Sequence, residues 1–216
     1  MTGKTHCPLC AAAQISEYFK DRRRSYVYCS TCSLVFVPPG EYVTREAERA
    51  EYDLHQNDVD DPGYRAFLSR LMAPLAERLP TGASGLDFGC GPGPALSQML
   101  RESGFKMALY DSLFFPDKTV LKASYEFICA TEVVEHLHRP GEELERLWSL
   151  LPRGGWLAIM TKLVSNRAAF GSWHYKNDPT HVCFFSRDTW QWWAQRHGAS
   201  LEIIGADVIL MRRKTR

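Results

Sequence analysis

No run of about 18 apolar residues occurs in the 216-residue chain, so no membrane-spanning helix is expected. An excess of either charge is missing too. The 26 Lys+Arg stand against 25 Asp+Glu, and a formal charge of +1 excludes a strongly basic coat for nucleic acid. The start, Met1-Thr-Gly-Lys-Thr-His-Cys7, lacks the apolar segment of a secretory signal, and the expected compartment is the cytoplasm. With 45% hydrophobic and 24% charged residues, composition indicates neither disorder nor a fibrous repeat. The length suits one α/β domain of roughly 150–170 residues with a small appendage and is too short for two catalytic domains.

The seven cysteines are an odd number, which in a reducing compartment argues against a disulfide framework. Four of them form two Cys-x-x-Cys pairs, Cys7-Pro-Leu-Cys10 and Cys29-Ser-Thr-Cys32, separated by 18 residues. Each pair can turn two thiolates toward one ion, and two such turns complete the closed tetrahedral shell of a structural zinc. A redox pair or four simply buried thiols are the alternatives. A redox Cys-x-x-Cys usually opens a helix within a βαβ pattern that this segment does not supply. Residues 15–19, 26–28 and 34–37 read as short strands around the pairs. Some 40 residues bury too little apolar surface to fold alone, so zinc would contribute folding energy on the order of 10 kcal/mol.

Pro38-Pro39-Gly40 ends this zinc-ribbon-like module of residues 1–40. The charged stretch 41–61 reads as a linker with one short helix, and residues 62–80 carry Tyr64, Phe67, Leu68, Leu71, Leu75 and Leu79 at helical spacing. The main domain is expected over residues 62–216. Its decisive stretch is Ser84-Gly-Leu-Asp-Phe-Gly-Cys-Gly-Pro-Gly-Pro94, a strand breaking into a glycine-rich turn before a helix over 95–103. Gly89, Gly91 and Gly93 let the backbone turn sharply and approach a ligand, and Pro94 suits a first helical turn. A dinucleotide fingerprint would place its third glycine at position 94, where proline stands. No Gly-Lys-Ser/Thr follows, which excludes a P-loop.

These residues resemble the first motif of the class I S-adenosylmethionine-dependent methyltransferases. The resemblance continues through Lys106-Met-Ala-Leu-Tyr-Asp111 as a second strand with an acidic tip, Phe127-Ile-Cys-Ala-Thr-Glu-Val-Val-Glu-His-Leu137 as the fourth, and Gly154-Gly-Trp-Leu-Ala-Ile-Met-Thr161 as the fifth. It covers about residues 62–213. It implies a Rossmann-like α/β sheet of seven strands, the last antiparallel, with strands at 200–204 and 207–213. It implies S-adenosylmethionine as cofactor, held by Asp87, Gly89, Cys90, Gly91, Gly93, Asp111, Ser112, Leu113, Thr131 and Glu132. Asp111 would accept hydrogen bonds from the ribose hydroxyls. Only about 15 residues separate Asp111 from the strand at 127, where the family usually fits a helix and a third strand. Residues 112–117 can replace that helix with an aromatic loop, in which Leu113 or Phe114 would stack on adenine and Asp117 is a weak candidate for the adenine-binding acid.

Some family members hold a divalent metal with a set similar to Glu132, Glu135 and His136. Here His136 reads as a general base or ligand, or Glu135-His136 as a cap that fixes the loop. The stretch 170–186 gathers Trp173, His174, Tyr175, Lys176, Asp178 and His181 in nine residues, more chemistry than a connector needs. His181 is the preferred base, since imidazole titrates near neutrality; a loop-pinning role is the alternative. Trp173, His174, Tyr175 and Asp178 are candidate substrate contacts, and Trp190, Trp192 and Trp193 read as packing.

Three functions remain open on sequence: methyl transfer to a small molecule, methyl transfer to RNA with the zinc module docking the substrate, and a cofactor-binding module without turnover. Arg22-Arg-Arg24 and Arg212-Arg-Lys214 speak for RNA; near-neutral charge speaks against it. The oligomeric state is not legible.

Overall fold

The computed structural model describes residues 6–53 and 58–215; the extreme N-terminus, on which part of the reading of the start rests, lies outside them. Strands β1 (Ile15–Lys20), β2 (Ser25–Cys29) and β3 (Val35–Phe36) form an antiparallel ribbon. The expected helix in the linker is α1 (Arg45–Tyr52), started by Thr44, whose side chain accepts from the Ala47 amide. Helix α2 (Pro62–Ala76) is capped by Asp61 and opens with proline. It stops short of residue 80, where the amides of Arg78 and Leu79 tighten onto the carbonyls of Leu75 and Ala76 ahead of Pro80.

Then follow β4 (Ser84–Phe88), α3 (Ala95–Glu102), β5 (Lys106–Tyr110), β6 (Phe127–Thr131), α4 (Pro140–Ser149), β7 (Trp156–Met160), α5 (Arg167–Phe170), β8 (Cys183–Phe184), α6 (Arg187–Arg196), β9 (Ala199–Ile204) and β10 (Val208–Arg213). The main sheet runs β5-β4-β6-β7-β10-β9. Strands β4 to β7 pair in parallel, and β10 lies antiparallel to both neighbours. Side chains alternate between two cores, as the pleat requires. Phe127, Cys129, Ala158 and Met160 meet Leu68, Leu71 and Leu100 on one face, while Ile128, Ala130, Leu157 and Ile159 meet Leu144, Trp148, Trp190 and Trp193 on the other.

The α/β sandwich is as expected, with one correction. Seven strands are predicted and six are present among the described residues. The stretch between Asp111 and β6 is too short for a helix and a strand; it folds instead as an isolated bridge from Asp111 to Phe115 and one 3-10 turn, Val120–Lys122, leaving β5 at the sheet edge.

The cysteine ribbon is not a separate ball. Its sheet order is β1-β2-β3-β8, so a segment from beyond β7 completes it: Val35 pairs with Phe184 and Phe36 with Cys183. Leu34, Phe36 and Cys29 belong to the same buried cluster as Ile128 and Trp190.

Candidate active site

At the carboxyl ends of β4 to β7 the chain encloses a cleft of about 1330 Å³. This is where an open parallel sheet places its ligands. Its floor is the turn after β4. Gly89 and Gly91 sit at φ +73° and +64°, backbone that a β-carbon disfavours, and a β-carbon on Gly89 would lie 2.5 Å from Val133 Cγ2. Asp111 braces this turn: one carboxylate oxygen accepts from the Gly91 amide at 3.0 Å, the other from Leu113 and Phe114 at 2.8 and 3.1 Å. Asp87 is nearly fully buried and accepts from the Ser97 hydroxyl at 2.8 Å. Burial pushes its carboxyl up to about 6, with Ser97 restraining the rise.

Cys90, Ser112, Leu113, Thr131 and Glu132 line the same cleft, whereas Gly93 does not, and its carbonyl instead accepts from Ala95 at the start of α3. Pro94 stands just before that helix as its N-cap. Phe114 lines the cleft; Asp117 lies outside its wall, accepting from the Thr119 amide.

The opposite wall comes from the loop after β7. His174, Tyr175, Asp178 and His181 line the cleft together with His136. Trp173 does not; it packs on Phe170, Tyr175 and Phe184. Glu135 lies beneath the wall, fully buried, and accepts from the Tyr175 hydroxyl, which is also 3.3 Å from Glu132 and from Thr161. One oxygen of each carboxyl, Glu132 Oε1 and Glu135 Oε2, is buried without a hydrogen-bond partner among the described residues. Burial, reinforced for Glu135 by the charge of Glu132, raises Glu132 to about 7 and Glu135 to about 8. Glu132 also holds φ +53°, a left-handed conformation uncommon outside glycine and typical of strained site residues.

Two histidines share the wall. His181 Nδ1 lies 2.7 Å from the Tyr175 carbonyl, an acceptor, so Nδ1 carries the proton and Nε2 is the basic nitrogen, 3.6 Å from Asp178 Oδ2. The Thr180 hydroxyl donates to Asp178 at 2.6 Å and therefore accepts from His136 Nδ1 at 2.9 Å. Burial opposes ionisation of Asp178, but the Thr180 bonds and the neighbouring imidazoles outweigh it and lower its carboxyl. The rings of His136 and His181 meet edge-on at 4.6 Å, and donor atoms of Glu135, His136 and His181 lie within 4.8 Å of one another.

Sequence reading missed part of the enclosure. Arg45, Glu48, Arg49 and Tyr52 of α1 line the cleft, as do Tyr64 of α2 and the cations Lys118, Arg146 and Lys162. The only signal for α1 is its capped start; its charge made it read as linker.

The four N-terminal sulfurs converge. Cys7 and Cys32 Sγ lie 3.4 Å apart, Cys10 and Cys29 3.5 Å, and all four fall within 4.8 Å of one another. Tetrahedral zinc thiolates lie about 3.8 Å apart, from Zn–S bonds of about 2.3 Å. The two turns are copies: the residue after each pair, Ala11 and Ser33, sits at φ +60° and +59°, and its amide bonds back to the carbonyl of Cys7 or Cys29. That repetition fits two halves of one metal shell.

A mainly parallel sheet with a glycine turn, an acid after its second strand and a second wall from the loop after β7 is the arrangement of an open α/β fold that binds its ligand at the carboxyl ends of the strands. The profile of the methyltransferase-domain family matches residues 62–202. The chain belongs to that family and is an S-adenosylmethionine-dependent methyltransferase. No protein of curated function matches it.

Among solved structures, a Burkholderia thailandensis 1,6-didemethyltoxoflavin-N1-methyltransferase with bound 1,6-didemethyltoxoflavin and S-adenosylhomocysteine is 15% identical, with 92% of this chain and 99% of that one covered and a TM-score of 0.51. A Methanococcus maripaludis protein described as an S-adenosyl-L-methionine-dependent methyltransferase is 14% identical over 79% and 94% of the two chains, TM-score 0.52. A Haloferax volcanii protein solved with a methyltransferase activator is 13% identical over 76% and 98%, TM-score 0.51. At these identities the likeness is one of fold. No helix among the described residues is long and apolar enough to cross a membrane.

Proposed function

We propose that the protein transfers a methyl group from S-adenosylmethionine to a small-molecule acceptor bound between the glycine turn and the wall of residues 174–181. The carrying observation is that one cleft of about 1330 Å³ joins the two walls. Small-molecule sites commonly occupy 300–1,000 Å³, so this volume leaves room for cofactor and acceptor together. In this reading Asp111 accepts from the ribose hydroxyls, Gly89 and Gly91 let the backbone pass under the methionyl portion, and Asp87 and Glu132 supply negative charge near the ammonium and sulfonium. When bound, the cofactor supplies an electrophilic methyl group. What this chain adds is alignment and exclusion of water. For a hydroxyl or amine acceptor, His181 Nε2 takes the proton, and Asp178 stabilises the imidazolium. Cys7, Cys10, Cys29 and Cys32 hold one structural zinc.

An RNA acceptor is the weaker reading. The basic clusters that would serve it are partly consumed by the fold: Arg24 bonds three backbone carbonyls, Arg213 bonds those of Trp148 and Leu151, and Arg212 bonds that of Gly154. Transfer of labelled methyl from the cofactor into fractionated cell extract separates the acceptors: label in nuclease-resistant small molecules supports the proposal, label lost to nuclease selects RNA, and no transfer despite cofactor binding selects a module without turnover. Cofactor binding is checked by calorimetry. Asp111→Ala removes two charge-assisted hydrogen bonds of about 1.5–3 kcal/mol each and should weaken S-adenosylmethionine about 100-fold or more; unchanged affinity rejects the site.

A further inference from the structure

The tip of the β1–β2 hairpin, residues 21–24, grips the back of the wall that carries Tyr175, Asp178 and His181. Four consecutive carbonyls of that wall accept from two arginines 152 to 155 positions away in sequence. Arg24 Nη2 reaches Lys176 O and Asp178 O at 2.6 and 2.7 Å, its Nη1 reaches Pro179 O at 3.0 Å, and Arg23 Nη1 reaches Asn177 O at 3.1 Å. The planar guanidinium of Arg24 is spread across three acceptors, a task its fixed fork suits and an ammonium does not.

Beside it, the ammonium of Lys176, only 5% exposed, meets Asp21 Oδ2 at 2.7 Å and lies over the rings of Phe19 and Tyr26. Asp21 is itself locked, its other oxygen accepting from the amides of Arg23 and Arg24. Burial opposes its ionisation, yet the Lys176 ammonium and these amides outweigh it and hold the carboxyl well below its usual range. Tyr26, almost fully buried, donates toward Asp21 and the Lys176 carbonyl and accepts from Arg24 Nε. The arms of this hairpin run down to Cys10 and Cys29, so the cysteine cluster fixes the base of the lever whose tip holds the wall.

We propose that Arg24 is a positioning residue: through the carbonyls of residues 176, 178 and 179 the cysteine ribbon sets where Tyr175, Asp178 and His181 stand in the cleft. The ribbon thereby governs the acceptor half of the site and leaves the glycine turn, which holds the cofactor, untouched. This rests on the reading of residues 174–181 as the acceptor wall. Arg24 is not among the residues that line the cleft. Its effect runs through the wall to the Tyr175 carbonyl, the acceptor that fixes the tautomer of His181.

The test uses the full chain. In Arg24→Gln, amide exchange at Thr180, His181 and Val182 should quicken about tenfold or more as the wall opens locally. Ring nitrogen shifts of His181 should move from the Nδ1–H form toward a mixture of tautomers. Exchange at Gly89 and Glu132, and calorimetric affinity for S-adenosylhomocysteine, should stay within about twofold. Arg24→Lys, which keeps the charge and loses the fork, should fall between, and it carries the test if the glutamine variant does not fold. Arg22→Gln, at an exposed neighbour, should change nothing. Unchanged exchange and tautomer in Arg24→Gln overturn the proposal, as does loss of S-adenosylhomocysteine affinity in step with wall exchange, which would mean that the arginine supports the whole fold. Absence of S-adenosylhomocysteine binding in the unaltered protein would instead overturn the cofactor assignment, while the exchange data still decide the clamp.

Discussion

Replacing Glu135 by glutamine should make the protein more tolerant of alkali. The carboxyl is fully buried, one oxygen accepts from Tyr175, and the other has no hydrogen-bond partner among the described residues. Burial first, then the charge of Glu132, lifts it from an ordinary 4.5 to about 8. The folded state therefore keeps a proton that the unfolded chain has released once the pH passes about 4.5. Stability is fullest below that value, falls as pH rises toward about 8, and is level above it. At about 1.4 kcal/mol per pH unit the upper bound on this loss is about 5 kcal/mol. Glu132 shares the Tyr175 hydroxyl and part of the repulsion, so about 2 kcal/mol is the expected difference between the variant and the unaltered protein. Urea unfolding of both proteins at about pH 5 and about pH 8.5 measures it, because groups remote from Glu135 contribute equally to both and only the coupled Glu132 changes with it. Equal pH slopes would refute the reasoning. So would a variant that is the less stable one at the higher pH, since ionised Glu135 would then have a favourable partner.

Removal of metal should act on the ribbon and, through the hairpin tip, on the acceptor wall. Purified protein should carry one zinc per chain, and chelation should quicken amide exchange in residues 25–37 and 174–184 before the β4–β6 strands respond; metal analysis finding none with intact thiols rejects the shell. Gly141→Ala tests how closely the first cysteine turn lies on α4: an added β-carbon would stand 2.4 Å from the Leu9 carbonyl oxygen, so about 1–3 kcal/mol of overpacking should appear in urea unfolding. An unaffected midpoint would show that this contact is slack.

Features that are local in sequence were legible. The glycine turn at 89–93 and the two cysteine pairs carry their chemistry within a few residues, and the strands at 127–131 and 156–160 are apolar enough to be buried on both faces. The missing strand was legible from length, since 15 residues cannot hold a helix and a strand, yet family likeness still implied seven. A short helix in the charged linker was legible, but its part in the site was not: nothing local marks Arg45, Glu48 and Arg49 as more than linker charge, and only folding brings them to the cleft. Arg24 was hidden by distance, because a cluster of three arginines reads as a surface patch until the carbonyls some 150 residues away are seen to absorb one of them. Trp173 shows the reverse limit of local reading. Its place among chemistry-bearing neighbours suggested contact with substrate, but its ring closes the ribbon's aromatic cluster.

The division of the chain into ribbon, linker and catalytic domain describes its order along the sequence, while the contacts run across it. Strand β8 is paired with the ribbon, and the amide of Val37 bonds to the carbonyl of Val182, itself anchored through its own amide to the carbonyl of Glu135. Backbone hydrogen bonds thus join the strand that follows the second cysteine turn to the main chain of Glu135, whose carboxyl lies beneath the wall of residues 174–181. The cofactor side is built otherwise: Gly89, Gly91 and Asp111 depend on β4, β5 and one another, with no bond from the ribbon among the described residues. If residues 174–181 face the acceptor as proposed, such an arrangement would let that wall change, by substitutions in the hairpin tip or in the wall itself, without disturbing the glycine turn. On the proposed reading of residues 174–181, specificity for the acceptor would reside as much in how the ribbon holds the wall from behind as in the side chains that face the cleft.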